Sequence, residues 1–246
     1  NFMAGSLTYD GPIIMQGSIT SPSWTQEFES NIRLTKGDFK FINPLENKYK
    51  IENGAKIIVD NGNAVVGNIY GRKYRVEDKD GRVGIFQIQE HRTSISAPNG
   101  KIIAEDIVNT VSLFADTIIV LNVEQDSILS AREILFYGGK LTFDCIIKLK
   151  ENGSIRFFEN FSIQGLSGDA IIELENGKKI RLFDLKTKKI KDLPDELISN
   201  KENYSKDATL VGNGFTITYD MLDHLSKKQE TKQKSNWSSK FGFSKK

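Results

Sequence analysis

The most constraining feature of this sequence is a segment in which apolar and polar residues alternate before a turn signal. The odd-numbered positions of this segment, residues 140–150, are all apolar: Leu141, Phe143, Cys145, Ile147 and Leu149. Because successive side chains of a strand point to opposite faces, the pattern predicts a strand with one apolar face. Asn152-Gly153 follows, and this pair favours a tight hairpin, so residues 154–161 are predicted to form the return strand.

Similar turn pairs punctuate the chain from residue 50 onward. They are Asn53-Gly54, Asn61-Gly62, Asp80-Gly81, Asn99-Gly100, Gly138-Gly139, Asn152-Gly153, Asn176-Gly177 and Asn213-Gly214. Short β-rich segments separate them at intervals of roughly 8–12 residues, which is typical of all-β proteins. We therefore predict an all-β fold, a multi-stranded antiparallel sandwich or jelly roll.

The spacing of three glycines supports an alternative fold, the β-solenoid. Gly62, Gly81 and Gly100 lie 19 residues apart, and stacked coils would place their turns in register. The residues around these glycines do not repeat, so the antiparallel sandwich or jelly roll remains the first prediction.

We predict that the chain is divided into a β-rich domain, residues 1–224, and a basic tail, residues 225–246. A boundary between two β subdomains near residues 90–100 is an option. The best helix candidate runs from Tyr219 to about Lys234, where Met221, Leu222 and Leu225 form one apolar stripe. This apolar stripe predicts a short C-terminal helix.

Composition excludes several classes of protein. One cysteine excludes an intramolecular disulfide and a cysteine-only zinc site. Cys145 lies between apolar neighbours and is predicted to be an inert core residue. The sequence shows no apolar run of about 18 residues, so no membrane-spanning helix is expected, and its first residues are not expected to form a signal peptide. A cytoplasmic or virion location is the most compatible with a single cysteine.

One short segment resembles a catalytic loop. Residues 165–169, Gly-Leu-Ser-Gly-Asp, resemble the nucleophile loop of chymotrypsin-like serine proteases. The resemblance implies a triad of His91, Asp116 or Asp144, and Ser167. The small residues that these enzymes place before the histidine are absent around His91, so an all-β serine hydrolase is only a second alternative.

Other motifs do not reach a functional pattern. Asp78 begins a sequence like a calcium loop, but Gln89 occupies the position of the closing Glu. The two histidines, His91 and His224, form no zinc-binding motif. No catalytic residue, metal site or cofactor is predicted, and we predict that the chain is not an enzyme.

The tail has the composition of a partner-binding segment. Residues 225–246 contain seven Lys and one Glu, a net charge of +6, whereas the rest of the chain carries −4. Lysines interleaved with aromatic residues suit phosphate contacts combined with stacking or insertion at an anionic surface. No specific recognition of nucleic acid is evident. The predicted partner-binding residues are Lys227, Lys228, Lys232, Lys234, Trp237, Lys240, Phe241 and Phe243.

These observations favour a structural or assembly protein, a β-rich subunit of a homo-oligomer or of a larger complex such as a virion, a filament or an envelope scaffold. The alternative is a β module that carries a lipid or glycolipid. Its lining would come from residues 127–137, 140–149 and 215–219.

Overall fold

The strands of this protein form coils that stack on one another. The computed structural model describes residues 2, 5–20, 30–41, 50–77, 86–142, 144–158, 161–163, 170–211 and 215–228. The first eleven strands are β1 Gly5–Asp10, β2 Ile13–Met15, β3 Ile19–Thr20, β4 Ser30–Lys36, β5 Phe39–Phe41, β6 Ile51–Glu52, β7 Lys56–Val59, β8 Ala64–Val65, β9 Ile69–Tyr70, β10 Arg72–Glu77 and β11 Phe86–His91.

The remaining strands and two helices follow. They are β12 Thr93–Ile103, β13 Asp106–Val108, β14 Val111–Val120, β15 Asn122–Val123, β16 Ile128–Phe136, β17 Gly139–Leu141, β18 Ile146–Phe157, β19 Phe161–Ile163, β20 Ile171–Leu174, β21 Lys179–Arg181, α1 Leu182–Lys186 and β22 Thr216–Thr218. Helix α2 occupies residues 219–228. Single 3₁₀ turns cover Ile190–Asp192, Asp195–Leu197 and Lys201–Asn203.

Each coil contributes three strand segments. The first segments pair in parallel from β1 through β4, β7, β12, β14, β16 and β18 to β20, and the third segments pair in parallel from β3 to β19. The second segments are β2, β5 and β8 in the early coils. From β12 to β18 the first and second segments of a coil form one bent strand, so they share a 13-stranded sheet, whereas the third segments form a seven-stranded sheet.

The predicted antiparallel sandwich or jelly roll is therefore wrong. The large sheet is mostly parallel, and among the described residues its only antiparallel pairs are β20–β21 and β18–β22. Two-residue alternation reports which face of a strand is buried but not the direction of its neighbours. Of the two predicted arrangements, only the solenoid pairs a strand in parallel with the strand one coil away.

The predicted hairpin at Asn152-Gly153 is also wrong. Strand β18 runs through both residues, and both of its halves pair in parallel with β16. Asn152 has a φ of 57°, which turns the strand at a corner of the coil instead of reversing it. The alternation itself was correct, because Leu141, Cys145, Ile147 and Leu149 are all buried. Phe143 lies outside the described residues.

The interior of the stack is filled by columns of matching side chains. Ile102, Ile118, Ile134 and Ile155 lie in register in consecutive coils and are each fully buried. β-branched residues suit such a pleated and packed surface. Beside this column, the rings of Phe136 and Phe157 stack with centroids 5.1 Å apart. These columns continue across residues 90–100, where β12 pairs with both β7 and β14.

The corners are shaped by small residues and by asparagines. Ala97, Ala115 and Ala131 are fully buried at the bend between the first and second segments. Asparagine side chains connect coils, since Oδ1 of Asn63 accepts a hydrogen bond from the Lys101 amide at 2.9 Å. In a later coil, Oδ1 of Asn122 accepts one from the Lys140 amide at 2.8 Å. These hydrogen bonds satisfy backbone amides at the corners.

The C-terminal end of the stack is closed by the chain itself. Strand β21 returns antiparallel to β20 through the turn at Asn176 and Gly177, and β22 pairs antiparallel with the second half of β18. The helices then bury apolar side chains against this end: Leu182 and Leu185 of α1, and Met221, Leu222 and Leu225 of α2.

A hairpin is inserted into the stack between β9 and β12. Its strands, β10 and β11, pair only with each other among the described residues. The stack continues on both sides of it, because β7 pairs with β12 and β9 with β13.

Candidate protein-interaction surface

An apolar surface covers the outer side of the second segments. Its centre is a column of aliphatic residues, Val65, Ile103, Ile119 and Leu135, which follow one another in parallel register. Each lies next to a buried residue in sequence, so alternation turns it away from the core. Ile103 is 38% exposed, and the other three are partly exposed. We call this column the central ladder.

A second column continues this surface at the corner that leads to the third segment. It contains Leu121, Tyr137 and Phe158, the first two of which are 38% and 63% exposed. The rings of Tyr137 and Phe158 lie 4.6 Å apart. The central ladder and these three residues together form what we call the outer face. On a monomer, the largest contiguous apolar patch, roughly 300–600 Å², is often functional, so the outer face is a candidate for protein-protein contact.

Charged residues border the outer face in a regular order. Lys101 and Glu133 lie on one side of the central ladder, in register with Thr117. Glu105 lies on the other side, in line with Leu121. At the C-terminal limit, Arg156 is in register with Leu135 and its guanidinium lies 4.6 Å from the centre of the Phe158 ring. The N-terminal limit is Lys40, which is in register with Val65.

The sequence contains a signal for the outer face that the alternation pattern alone does not reveal. A strand that is buried on one side only should alternate strictly. Apolar doublets instead occur at 102–103, 118–119 and 134–135, at intervals of 16 residues. The second member of each doublet is the residue that faces outward.

The tail residues fall mainly outside the described part of the chain. Lys227 and Lys228 lie in the last turn of α2, and both are exposed. Lys227 pairs with Asp223 at 2.6 Å. The other predicted partner-binding residues, Lys232, Lys234, Trp237, Lys240, Phe241 and Phe243, are outside the described residues, and their contact with an anionic surface stays a prediction.

The residues of the proposed hydrolase triad do not form a described site. Ser167 is outside the described residues. Asp116 is held in a bidentate pair by Arg132, with both N–O distances 3.0 Å; the hydrogen bonds from Arg132 hold the pKa of Asp116 below its ordinary value. His91 ends β11 and lies against the turn at Gly54.

Cys145 is a core residue. It is 1% exposed, and burial raises the pKa of its thiol to about 12. Its Sγ lies 3.3 Å from the Glu124 carbonyl oxygen and can donate a weak hydrogen bond to it. A protonated and inaccessible thiol is a poor nucleophile.

A cleft lies between α2 and residues 187–194. Its volume is about 320 Å³, and His224, Lys188, Lys228 and Asp192 contribute to its lining. Within the described ranges, no three His, Cys, Asp or Glu residues are placed to hold a metal ion. Among the helices described, none has the length and apolarity needed to cross a membrane.

The proposed lipid-binding ranges contribute to the interior of the stack. Leu129, Ile147 and Ile217 are buried against neighbouring coils. Comparison of the chain with protein-family models, with curated proteins and with solved structures found no match.

Proposed function

We propose that this chain is a non-enzymatic structural subunit that associates with further copies of itself through the outer face. The observation that carries this proposal is the central ladder, four aliphatic side chains aligned on the outside of a parallel sheet. Removing such side chains from water supplies the driving force for association.

The size of the outer face predicts a weak and reversible contact. Its usable length runs from the Val65 coil to the Leu135 coil, since cations border it at both ends. The coils are about 4.8 Å apart, and each residue along a strand adds about 3.3 Å. Four coils and the five residues from position 101 to 105 therefore cover an area of roughly 300 Å² per copy. Stable complexes bury about 800 Å² per partner, so we expect a dissociation constant of about 1–100 μM. Weak single contacts suit a subunit whose assembly is strengthened by multivalency.

The partner is a second copy because the outer face carries charges of both signs next to its apolar centre. Lys101 and Glu105 belong to the same coil and flank Ile103 on opposite sides. A surface that contains both members of an ion pair can satisfy itself when two copies meet, as isologous interfaces require.

Sedimentation velocity of the full chain between about 1 and 200 μM tests this function. We expect a monomer-dimer equilibrium, and Ile103→Glu should keep the chain monomeric because it places a charge at the centre of the contact. Ile58→Glu is the matched control: Ile58 is 37% exposed on the outer side of the first segments, and Ile103 is 38% exposed. A wild-type chain that stays monomeric, or equal effects of the two substitutions, would contradict the proposal.

A further inference from the structure

The order of charges around the central ladder defines how two copies would meet. We propose that two chains pair face to face about a two-fold axis parallel to the stack, so that each coil lies opposite the same coil of the second copy. This inference rests on the proposed self-association and adds its geometry. The axis would run along the central ladder, between the two sheets.

This two-fold rotation places each side of the central ladder opposite the other side in the second copy. Each coil still faces the same coil of that copy. Lys101 of one copy therefore meets Glu105 of the other, and the symmetry produces this ion pair twice. In the Leu135 coil, the hydroxyl of Tyr137 meets the carboxylate of Glu133 of the other copy and can donate a hydrogen bond to it. Both Lys101 and Glu105 are exposed, so neither has to leave a buried position.

The apolar centre is equally self-complementary in this arrangement. Ile103, Ile119 and Leu135 each pack against the same residue of the second copy, and Leu121 meets Thr117. Aligned sheets pack at a distance of about 10 Å, which side chains of this size fill from both sides.

The opposite orientation pairs the same surface poorly. The opposite face-to-face orientation has its two-fold axis parallel to the strands; passing between Ile119 and Leu135, this axis would place Glu133 against Thr117 and Arg156 against Ile103. Lys101 would then lie opposite Ser154, and the reciprocal ion pair between Lys101 and Glu105 would be lost. The parallel orientation brings only Arg156 and Lys40 near their own copies, and both lie at the limits of the contact, where solvent screens them.

Charge exchange tests the geometry. Lys101→Glu and Glu105→Lys should each weaken dimerisation about tenfold, because each turns two attractive contacts into two repulsive ones. The double variant, Lys101→Glu with Glu105→Lys, should restore the wild-type dissociation constant. Lys148→Glu is the control, since Lys148 is an exposed lysine on the outer side of the first segments, and it should leave dimerisation unchanged.

Cross-linking gives a second readout that does not depend on charge. The native Cys145 is buried, so an introduced Ile103→Cys provides an accessible thiol. With a short bismaleimide, Ile103→Cys alone should cross-link to itself. An equal mixture with Arg156→Cys, which lies three coils or about 14 Å away along the stack, should give few mixed products.

The outcomes separate this inference from the proposed function. Suppose that the wild-type chain dimerises and that Ile103→Glu dissociates the dimer. If the double variant then fails to restore dimerisation, or if the cross-links are mainly mixed, the two-fold arrangement is wrong, but self-association stands. A wild-type chain that is monomeric at every concentration would overturn both.

Discussion

Gly100 lies directly against Gly62, the glycine at the same corner of the preceding coil. A Cβ atom at Gly100 would lie 1.8 Å from the carbonyl oxygen of Gly62, and a Cβ atom at Gly62 would lie 2.1 Å from the carbonyl oxygen of Gly37. These glycines therefore allow consecutive coils to approach at one corner.

Gly100→Ala should destabilise the protein by about 2–4 kcal/mol, because the backbone of two coils must separate to admit the methyl group. Gly67→Ala is the matched control. Its added Cβ would meet only the Glu105 carboxylate, at 3.9 Å, so its effect should be within about 0.5 kcal/mol. Urea denaturation measures both, and equal stabilities of the two variants would contradict close corner packing.

Asp223 should make stability depend on pH. Hydrogen bonds from Lys227 and then Lys178 hold the pKa of Asp223 well below its ordinary value, and its Oδ1 also accepts from Asn176 Nδ2 at 3.0 Å. A carboxyl group whose pKa is lowered by folding stabilises the fold above its unfolded pKa, about 4, and loses this contribution as the pH falls through the folded value.

Asp223→Asn should therefore lower the free energy of unfolding by about 1 kcal/mol at pH 7. The difference from wild type should shrink as the pH falls below about 4. Thermal unfolding between pH 2 and 7 measures this, with Glu202→Gln, at an exposed site, as the control. A difference that grows on acidification has the wrong sign for this mechanism.

Thr110 carries an unpaired hydroxyl in the core. It is fully buried, and its Oγ1 has no hydrogen-bond partner among the described residues. Thr110→Val keeps the shape of the side chain and removes the unpaired group, so it should stabilise the protein by about 1 kcal/mol. A loss of stability in urea denaturation would show that the hydroxyl does find a partner.

Cys145 should react only when the chain unfolds. Its thiol is buried and protonated at neutral pH, and a thiolate is the reactive form. Ellman's reagent at pH 8 should label no thiol in native buffer and one thiol per chain in concentrated guanidinium chloride. Rapid labelling of the native chain would contradict the buried position.

Alternation and turn residues in the sequence predict well which side chains are buried, but they predict poorly whether neighbouring strands are parallel or antiparallel. Alternation correctly buried Cys145 and its neighbours because one face of each strand packs inside. The Asn-Gly pair at 152–153 permits a positive φ, and both hairpins and solenoid corners use this conformation. Only the identity of the pairing partner distinguishes them, and that depends on distant residues.

The glycine spacing shows the same limitation. Gly62 and Gly100 do share a corner, but Gly81 lies outside the described residues, in the part of the chain between β10 and β11. The inserted hairpin separates coils that are adjacent in space, which hid the regular interval. The apolar doublets at 102–103, 118–119 and 134–135 would have revealed the outer face.

The inserted hairpin also has a consequence for how this architecture can change. Strands β7 and β9 find their parallel partners in β12 and β13 even though the hairpin lies between them in the chain. Pairing between coils therefore does not depend on the length of the segment that is inserted at this corner. The corner between β9 and β12 is a natural grafting point, where a foreign loop or a reporter peptide could replace the hairpin while the coils above and below keep their alignment.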